Sequence, residues 1–146
     1  MSLEEPKMTD ITGRCLCGSI TYSCSSEALH TSVCHCESCQ RQTGTAFSTI
    51  VAVPKETFLL EGAEALGEHV SEGDSGKPVR RNFCKNCGSP IFSIVEVVSS
   101  LVIIKAGTLD DKSWLEPKAH YWCSDAQPWV EIPEEIQQFS HSPPSK

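Results

Sequence analysis

Short runs in which β-branched and aromatic residues interleave with small polar ones recur along the whole chain, and they set the expected elements. The strongest in the first half is Thr45-Ala46-Phe47-Ser48-Thr49-Ile50-Val51-Ala52-Val53, preceded by Gly44 and closed by Pro54. Its content of Val, Ile, Thr and Phe predicts a strand. Residues 19–23 and 28–33 predict two strands before it, and 57–61 and 66–70 two after it. Residues 79–83, 90–97, 101–106 and 119–123 continue the series, the last of them expected to be the final strand. No apolar stripe of helical period persists over roughly 12 residues. Only 37–42 predicts helix, a single turn too short to stand without outside contacts. The expectation is an all-β domain of short antiparallel sheets spanning 11–135, with a flexible start at 1–10, an exposed loop at 71–78 and a flexible tail at 136–146.

Composition narrows the partners. At 146 residues the chain is one domain by size. Its formal charge of -7 disfavours non-specific attraction to nucleic acid or to an anionic bilayer, so neither is expected as a partner. No apolar run approaches the roughly 18 residues of a membrane-crossing helix. The opening Met1-Ser2-Leu3-Glu4-Glu5-Pro6-Lys7-Met8 is acidic and lacks the apolar stretch of a secretory signal. A cytoplasmic, reducing compartment is therefore expected, and the nine cysteines are read as metal ligands rather than disulfides.

Seven of the cysteines fall into three local groups: Cys15 and Cys17; Cys34, Cys36 and Cys39; Cys84 and Cys87. Thiolates are the ligands zinc prefers, and close spacing lets one short turn deliver several to one ion. An all-sulfur site alone would also suit iron. Cys84-x2-Cys87-Gly88 is a knuckle in which a small residue lets the backbone turn beneath the ion. Cys15-x-Cys17-Gly18 supplies the other two ligands of a tetrahedral site that ties the start of the chain to its middle. Cys34, Cys36 and Cys39 are then left as three ligands with an open fourth position, the arrangement of reactive zinc. The competing reading makes all seven thiols structural, with His35 as an eighth ligand. His35 is expected instead to orient a neighbour or face outward. Cys24 and Cys123, without spacing partners, are expected to be small buried hydrophobes. Arg41 and Lys85 are candidates for holding a substrate carboxylate, and Thr43 for donating to a developing alkoxide.

The motifs Gly13-Arg14-Cys15-Leu16-Cys17-Gly18-Ser19-Ile20-Thr21-Tyr22 and Cys34-His35-Cys36-Glu37-Ser38-Cys39-Gln40-Arg41 resemble the glutathione-dependent formaldehyde-activating enzyme family, which also includes centromere protein V. The resemblance continues through Thr43–Phe47, Arg81-Asn82-Phe83-Cys84-Lys85-Asn86-Cys87-Gly88, Gly107-Thr108-Leu109-Asp110, His120 and Trp129. It implies a β-tent domain with two zinc ions per chain: a structural one on Cys15, Cys17, Cys84 and Cys87, and a more labile catalytic one on Cys34, Cys36 and Cys39. It also implies a carbon–sulfur lyase reaction joining a small thiol, glutathione, to a small aldehyde, formaldehyde. On this reading Cys34, Cys36, Cys39, His35 and Arg41 are the catalytic candidates. The alternatives are a zinc-stabilised interaction module without catalysis and a lyase acting on another sulfur compound. The oligomeric state is left open.

Overall fold

A computed structural model describes residues 10–141. The expected flexible start, apart from Asp10, and residues 142–146 of the expected tail lie outside the described residues. Eleven strands and one helix follow in the order β1 (Ile11–Arg14), β2 (Thr21–Cys24), β3 (His30–Cys34), α1 (Glu37–Thr43), β4 (Ser48–Pro54), β5 (Phe58–Glu61), β6 (Leu66–Glu72), β7 (Pro78–Cys84), β8 (Pro90–Val95), β9 (Leu101–Lys105), β10 (Ala119–Tyr121) and β11 (Gln137–Gln138). The protein is mostly β, as the residue pattern predicts.

Two sheets form, a small one ordered β1-β2-β5 and a large one ordered β11-β10-β3-β4-β9-β8-β7-β6. Because strand side chains alternate between faces, register decides which residues meet. Val51 lies opposite Ile104, and Val53 opposite Val102. With Phe92 beside Ile104, they present one apolar face. The small sheet covers it: Ile11, Tyr22 and Cys24 join Val51, Val53, Ile91, Phe92, Val102 and Ile104 in one buried cluster. Phe58 bridges the layers, its ring 5.4 Å from Tyr22 and 5.1 Å from Phe92.

The opposite face of the large sheet carries the chemistry. Along it Cys34 lies opposite Ser48, Ile50 opposite Lys105, Ile103 opposite Ser93, Ser93 opposite Arg81, and Arg81 opposite His69. Helix α1 sits beside β4. It is bounded by the Cys36 sulfur, which accepts the Cys39 N–H at 3.3 Å, and by Gly44, whose N–H bonds Gln40 O at 2.8 Å. Glu37 in its first turn and Arg41 in its last complement the helix dipole.

Three details differ from the expectation. β1 was hidden in a four-residue stretch holding a glycine and an arginine. The large sheet is antiparallel except where β10 pairs in parallel with both β3 and β11. Finally, 119–123 is not the last strand, and the described part of the expected tail is held down. Gln137 and Gln138 pair with Ala119 and His120. Trp122, Cys123 and Ser124 donate their N–H groups to the carbonyls of His141, Phe139 and Ser140. Phe139 stacks on Tyr121 at 5.2 Å, so a polar segment is anchored by backbone pairing and one aromatic ring.

Candidate metal centres

The seven clustered sulfurs gather into two groups. Cys15 and Cys17, from the turn after β1, meet Cys84 and Cys87 at the end of β7, with all four sulfurs within 4.8 Å of one another. Both knuckles close in the same way. Gly18 N–H donates to Cys15 O at 3.2 Å and Gly88 N–H to Cys84 O at 2.7 Å. Both glycines sit at positive φ, 81° and 83°, where a side chain would be strained. The Cys15 and Cys17 sulfurs are 3.7 Å apart and those of Cys17 and Cys84 3.8 Å. A tetrahedron of sulfurs about 2.3 Å from a central ion has edges of about 3.8 Å, so the spacing fits a metal ion and no disulfide forms.

Polar neighbours steady these sulfurs. Ser19 Oγ is 3.2 Å and Asn86 Nδ2 3.3 Å from Cys17 Sγ, and Ser89 Oγ is 3.2 Å from Cys87 Sγ. Hydrogen bonding by Ser19 brings the Cys17 thiol down to about 7, and by Ser89 the Cys87 thiol to about 5. Both sulfurs are thus prepared to be thiolate ligands.

The second group is Cys34, Cys36 and Cys39, again within 4.8 Å of one another. No histidine or carboxylate joins them among the described residues. Cys34 ends β3, Cys36 caps α1 and Cys39 lies in its first turn, so one strand end and one helix start supply all three ligands. Hydrogen bonds with Cys34 and Cys39 hold the Cys36 thiol far below its ordinary value, while those with Cys36 and Cys39 push Cys34 up. Three crowded sulfurs cannot all ionise unaided. A divalent cation removes that conflict by holding them all as thiolates.

A model of the family described as glutathione-dependent formaldehyde-activating enzyme matches residues 10–125, a span that includes all seven of these cysteines. The chain belongs to that family. A protein of Aspergillus flavus, provisionally named a glutathione-dependent formaldehyde-activating enzyme, is 28% identical over 109 residues, covering 71% of this chain and 56% of its own. One from Colletotrichum graminicola with the same provisional name is 26% identical over 119 residues, covering 78% and 61%. The chain thus spans little more than half the length of these relatives. A crystal structure of a Rhodobacter sphaeroides protein shares the fold, with a TM-score of 0.54, 19% identity, and coverage of 68% of this chain and 87% of that one.

Two placements were expected for His35, orienting a neighbour or facing outward. It is fully buried, not outward-facing. Its Nε2 is 2.9 Å from His120 Nδ1, its ring stacks on His120 at 5.1 Å, and Phe47 packs at 5.5 Å. Burial lowers the pKa of both imidazoles, with the charge of His120 adding to the shift at His35. A neutral pair sharing one proton follows. Gln40 Nε2 donates to His35 O at 2.7 Å and His35 N–H to Tyr121 O at 3.0 Å, so His35 pins the cysteine loop to β10. Arg41 is exposed and, among the described residues, held only by Glu37, at 2.7 and 3.0 Å, a surface pair that yields easily. Thr43 Oγ1 donates to Cys39 O at 2.7 Å. Lys85 is exposed on the first knuckle. Cys24 is buried and hydrogen-bonded near Thr57, and Cys123 is half-buried.

Two cations beside the second group have no sequence signature. Lys105, buried at the end of β9, reaches Ser48 Oγ at 2.9 Å as its one hydrogen-bond partner among the described residues. Burial lowers its pKa, while Cys39, Cys34 and Cys36 raise it. Three thiolates around a divalent ion carry one net negative charge, and a buried ammonium is the counter-charge such a site needs. Arg81, on β7, projects its field onto Cys36 and helps depress it. Two cavities flank α1. One of about 680 Å³ includes Glu37, Arg41, Asp125 and Trp129 in its lining; the other, of about 440 Å³, includes Ser38, Arg41, Gln42 and Arg81.

Proposed function

We propose that the protein is a zinc-dependent carbon–sulfur lyase that reversibly joins a small thiol, glutathione, to formaldehyde at the Cys34, Cys36 and Cys39 centre. One observation carries this reading: four sulfurs close the first group, while the second offers only three among the described residues. Closed sulfur sites are structural, and sites with three protein ligands keep a position for a reactant. Zinc held there by Cys34, Cys36 and Cys39 would supply Lewis acidity that favours the thiolate form of a thiol near neutral pH.

The chain's own residues have distinct parts in this reaction. Cys34, Cys36 and Cys39 present three sulfurs from a rigid strand–helix junction. Lys105 offsets their charge from beneath. His35 is a positioning residue, because its ring is locked against His120 and Phe47 and its backbone ties the cysteine loop to β10. Arg41 sits at the rim between both cavities and swings from Glu37 to a substrate carboxylate. In the forward direction the sulfur lone pair forms the C–S bond, the C=O π pair becomes the alkoxide, and a proton from solvent or from the thiol completes the hydroxymethyl group. The family match over 10–125 and the names of the relatives support the choice of glutathione and formaldehyde.

Exchange NMR on glutathione and formaldehyde at equilibrium, with zinc-loaded protein, tests the reading against the spontaneous background. Interconversion should accelerate with wild-type protein and return to background with Cys36→Ser. No acceleration at full zinc loading would refute it.

A further inference from the structure

Helix α1 delivers Cys36 and Cys39, yet it has seven residues, too few to hold a helix without outside contacts. Among the described residues Gln40 is the one side chain of α1 that hydrogen-bonds to a distant part of the fold, and its amide is fully used. Its Nε2 donates to His35 O at 2.7 Å and to Asp125 O at 3.1 Å, and its Oε1 accepts from Gln127 Nε2 at 2.7 Å. Asp125 ends a tight turn, Cys123–Asp125, which the chain enters through Trp122. Trp122 is the one non-glycine at positive φ among the described residues, at 58°, a conformation that an aromatic residue keeps only where its surroundings impose it. Those surroundings are residues 137–141. Trp122 N–H donates to His141 O at 3.0 Å and Cys123 N–H to Phe139 O at 2.9 Å. Ser124 Oγ donates to Ser140 O at 2.8 Å, and the Trp122 ring meets His141 edge-on at 4.8 Å.

We propose that Gln40 is a positioning residue for the three-cysteine centre, clamped by the Trp122 turn that residues 137–141 hold in its left-handed form, so that this segment governs how firmly the second site keeps its metal. The proposal rests on the reading of Cys34, Cys36 and Cys39 as metal ligands and adds what fixes their geometry. The path is short and continuous. Residues 137–141 shape the turn, the turn presents Asp125 O and the Gln127 amide, and Gln40 carries both onto the helix that holds Cys39. Phe139 adds a second hold. Its N–H donates to His120 O at 2.9 Å, and its ring stacks on Tyr121, whose carbonyl accepts the His35 N–H. The first sulfur group shares none of these contacts, so the effect is specific to the second. Groups that orient metal ligands without touching the ion change its retention strongly, and a site with three protein ligands has fewer of its own to rely on.

The test follows zinc release from the loaded full chain into excess chromophoric chelator, which reads metal without turnover. Cys36→Ser protein, lacking the second site, identifies the phase that belongs to the first. Gln40→Met keeps a side chain of similar length and removes the amide. It should release second-site zinc at least about tenfold faster, the scale on which residues supporting metal ligands act, with first-site release unchanged. Gln127→Ala and Phe139→Ala, neither bonded to a metal-ligating cysteine, should quicken the same phase alone. Adding either to Gln40→Met should quicken it by less than the product of the single effects, because all act along one path. Melting curves establish that each variant is folded, and Gln127→Ala, which cuts one side-chain bond, carries the test if Phe139→Ala does not fold. Unchanged second-site release in Gln40→Met, both phases quickened alike, or effects that multiply independently would each overturn the relay and leave the exchange reaction standing. A selective, non-additive loss in a protein that does not accelerate exchange would uphold the relay and remove the thiol–aldehyde reaction. Wild-type protein that holds a single zinc would overturn both.

Discussion

Lys105 is a buried cation whose ordinary surroundings would expel its charge. Its amine donates to Ser48 Oγ and feels the charges of Cys39, Cys34 and Cys36. Lys105→Met, similar in shape and apolar, should therefore leave the fold intact and weaken metal at the second group by about 10–100-fold, the usual effect of removing a residue that supports a metal ligand. Chelator competition on the two sites measures it, and unchanged affinity would show that Lys105 plays no part in the charge balance. The ligands themselves were legible, because thiols spaced by one or two residues reach one ion by local geometry alone. Lys105 and Arg81 were not. Each ends up near the sulfurs only through register, Lys105 opposite Ile50 and Arg81 opposite Ser93, and no window of sequence contains both partners. His35 was half legible: its place between two ligands was plain, but burial against His120 depends on the parallel pairing of β10 with β3.

Among the elements, β1 and β2 depend on a close contact at Tyr22. Its ring crosses Gly13, where any side chain would collide with it, and its hydroxyl meets Thr108 Oγ1 at 2.6 Å. Burial pushes the phenol from 10.0 up to about 12. The folded state thus favours the neutral phenol: the unfolded chain releases its proton first as pH rises, so the contribution is complete below pH 10 and is lost towards 12. Tyr22→Phe should cost about 1 kcal/mol at neutral pH through the lost hydrogen bond, yet lose less stability than wild type between pH 10 and 12. Thermal melts across that range decide it, and parallel losses would refute the assignment. The strands with β-branched runs, such as β4 and β9, were readable because both faces leave a pattern. β11 was not, since two glutamines carry no alternation and pair through backbone groups alone. β1 failed for a related reason: Gly13 removes a side chain where Tyr22 needs space.

At the scale of the molecule the first sulfur group joins residues 67 positions apart, Cys17 and Cys84, and so clamps the small sheet's first strand to the large sheet. Structural zinc contributes on the order of 10 kcal/mol, comparable with the whole stability of a domain this size. Cys84→Ser should consequently yield an unfolded or aggregated chain, whereas Cys36→Ser should stay folded and lose one of two zinc equivalents. Circular dichroism with metal analysis distinguishes them, and a folded Cys84→Ser protein would contradict the structural assignment.

The division between a closed and an open site is tested most directly by cobalt substitution. With both sites loaded, each thiolate on cobalt contributes to the charge-transfer absorption. Adding glutathione should raise that absorption by about one further thiolate in wild-type protein, since an open position takes a fourth sulfur. S-methylglutathione should cause no rise, and Cys36→Ser should abolish the response. A spectrum unmoved by glutathione at full cobalt occupancy would mean that the Cys34, Cys36 and Cys39 site admits no thiol.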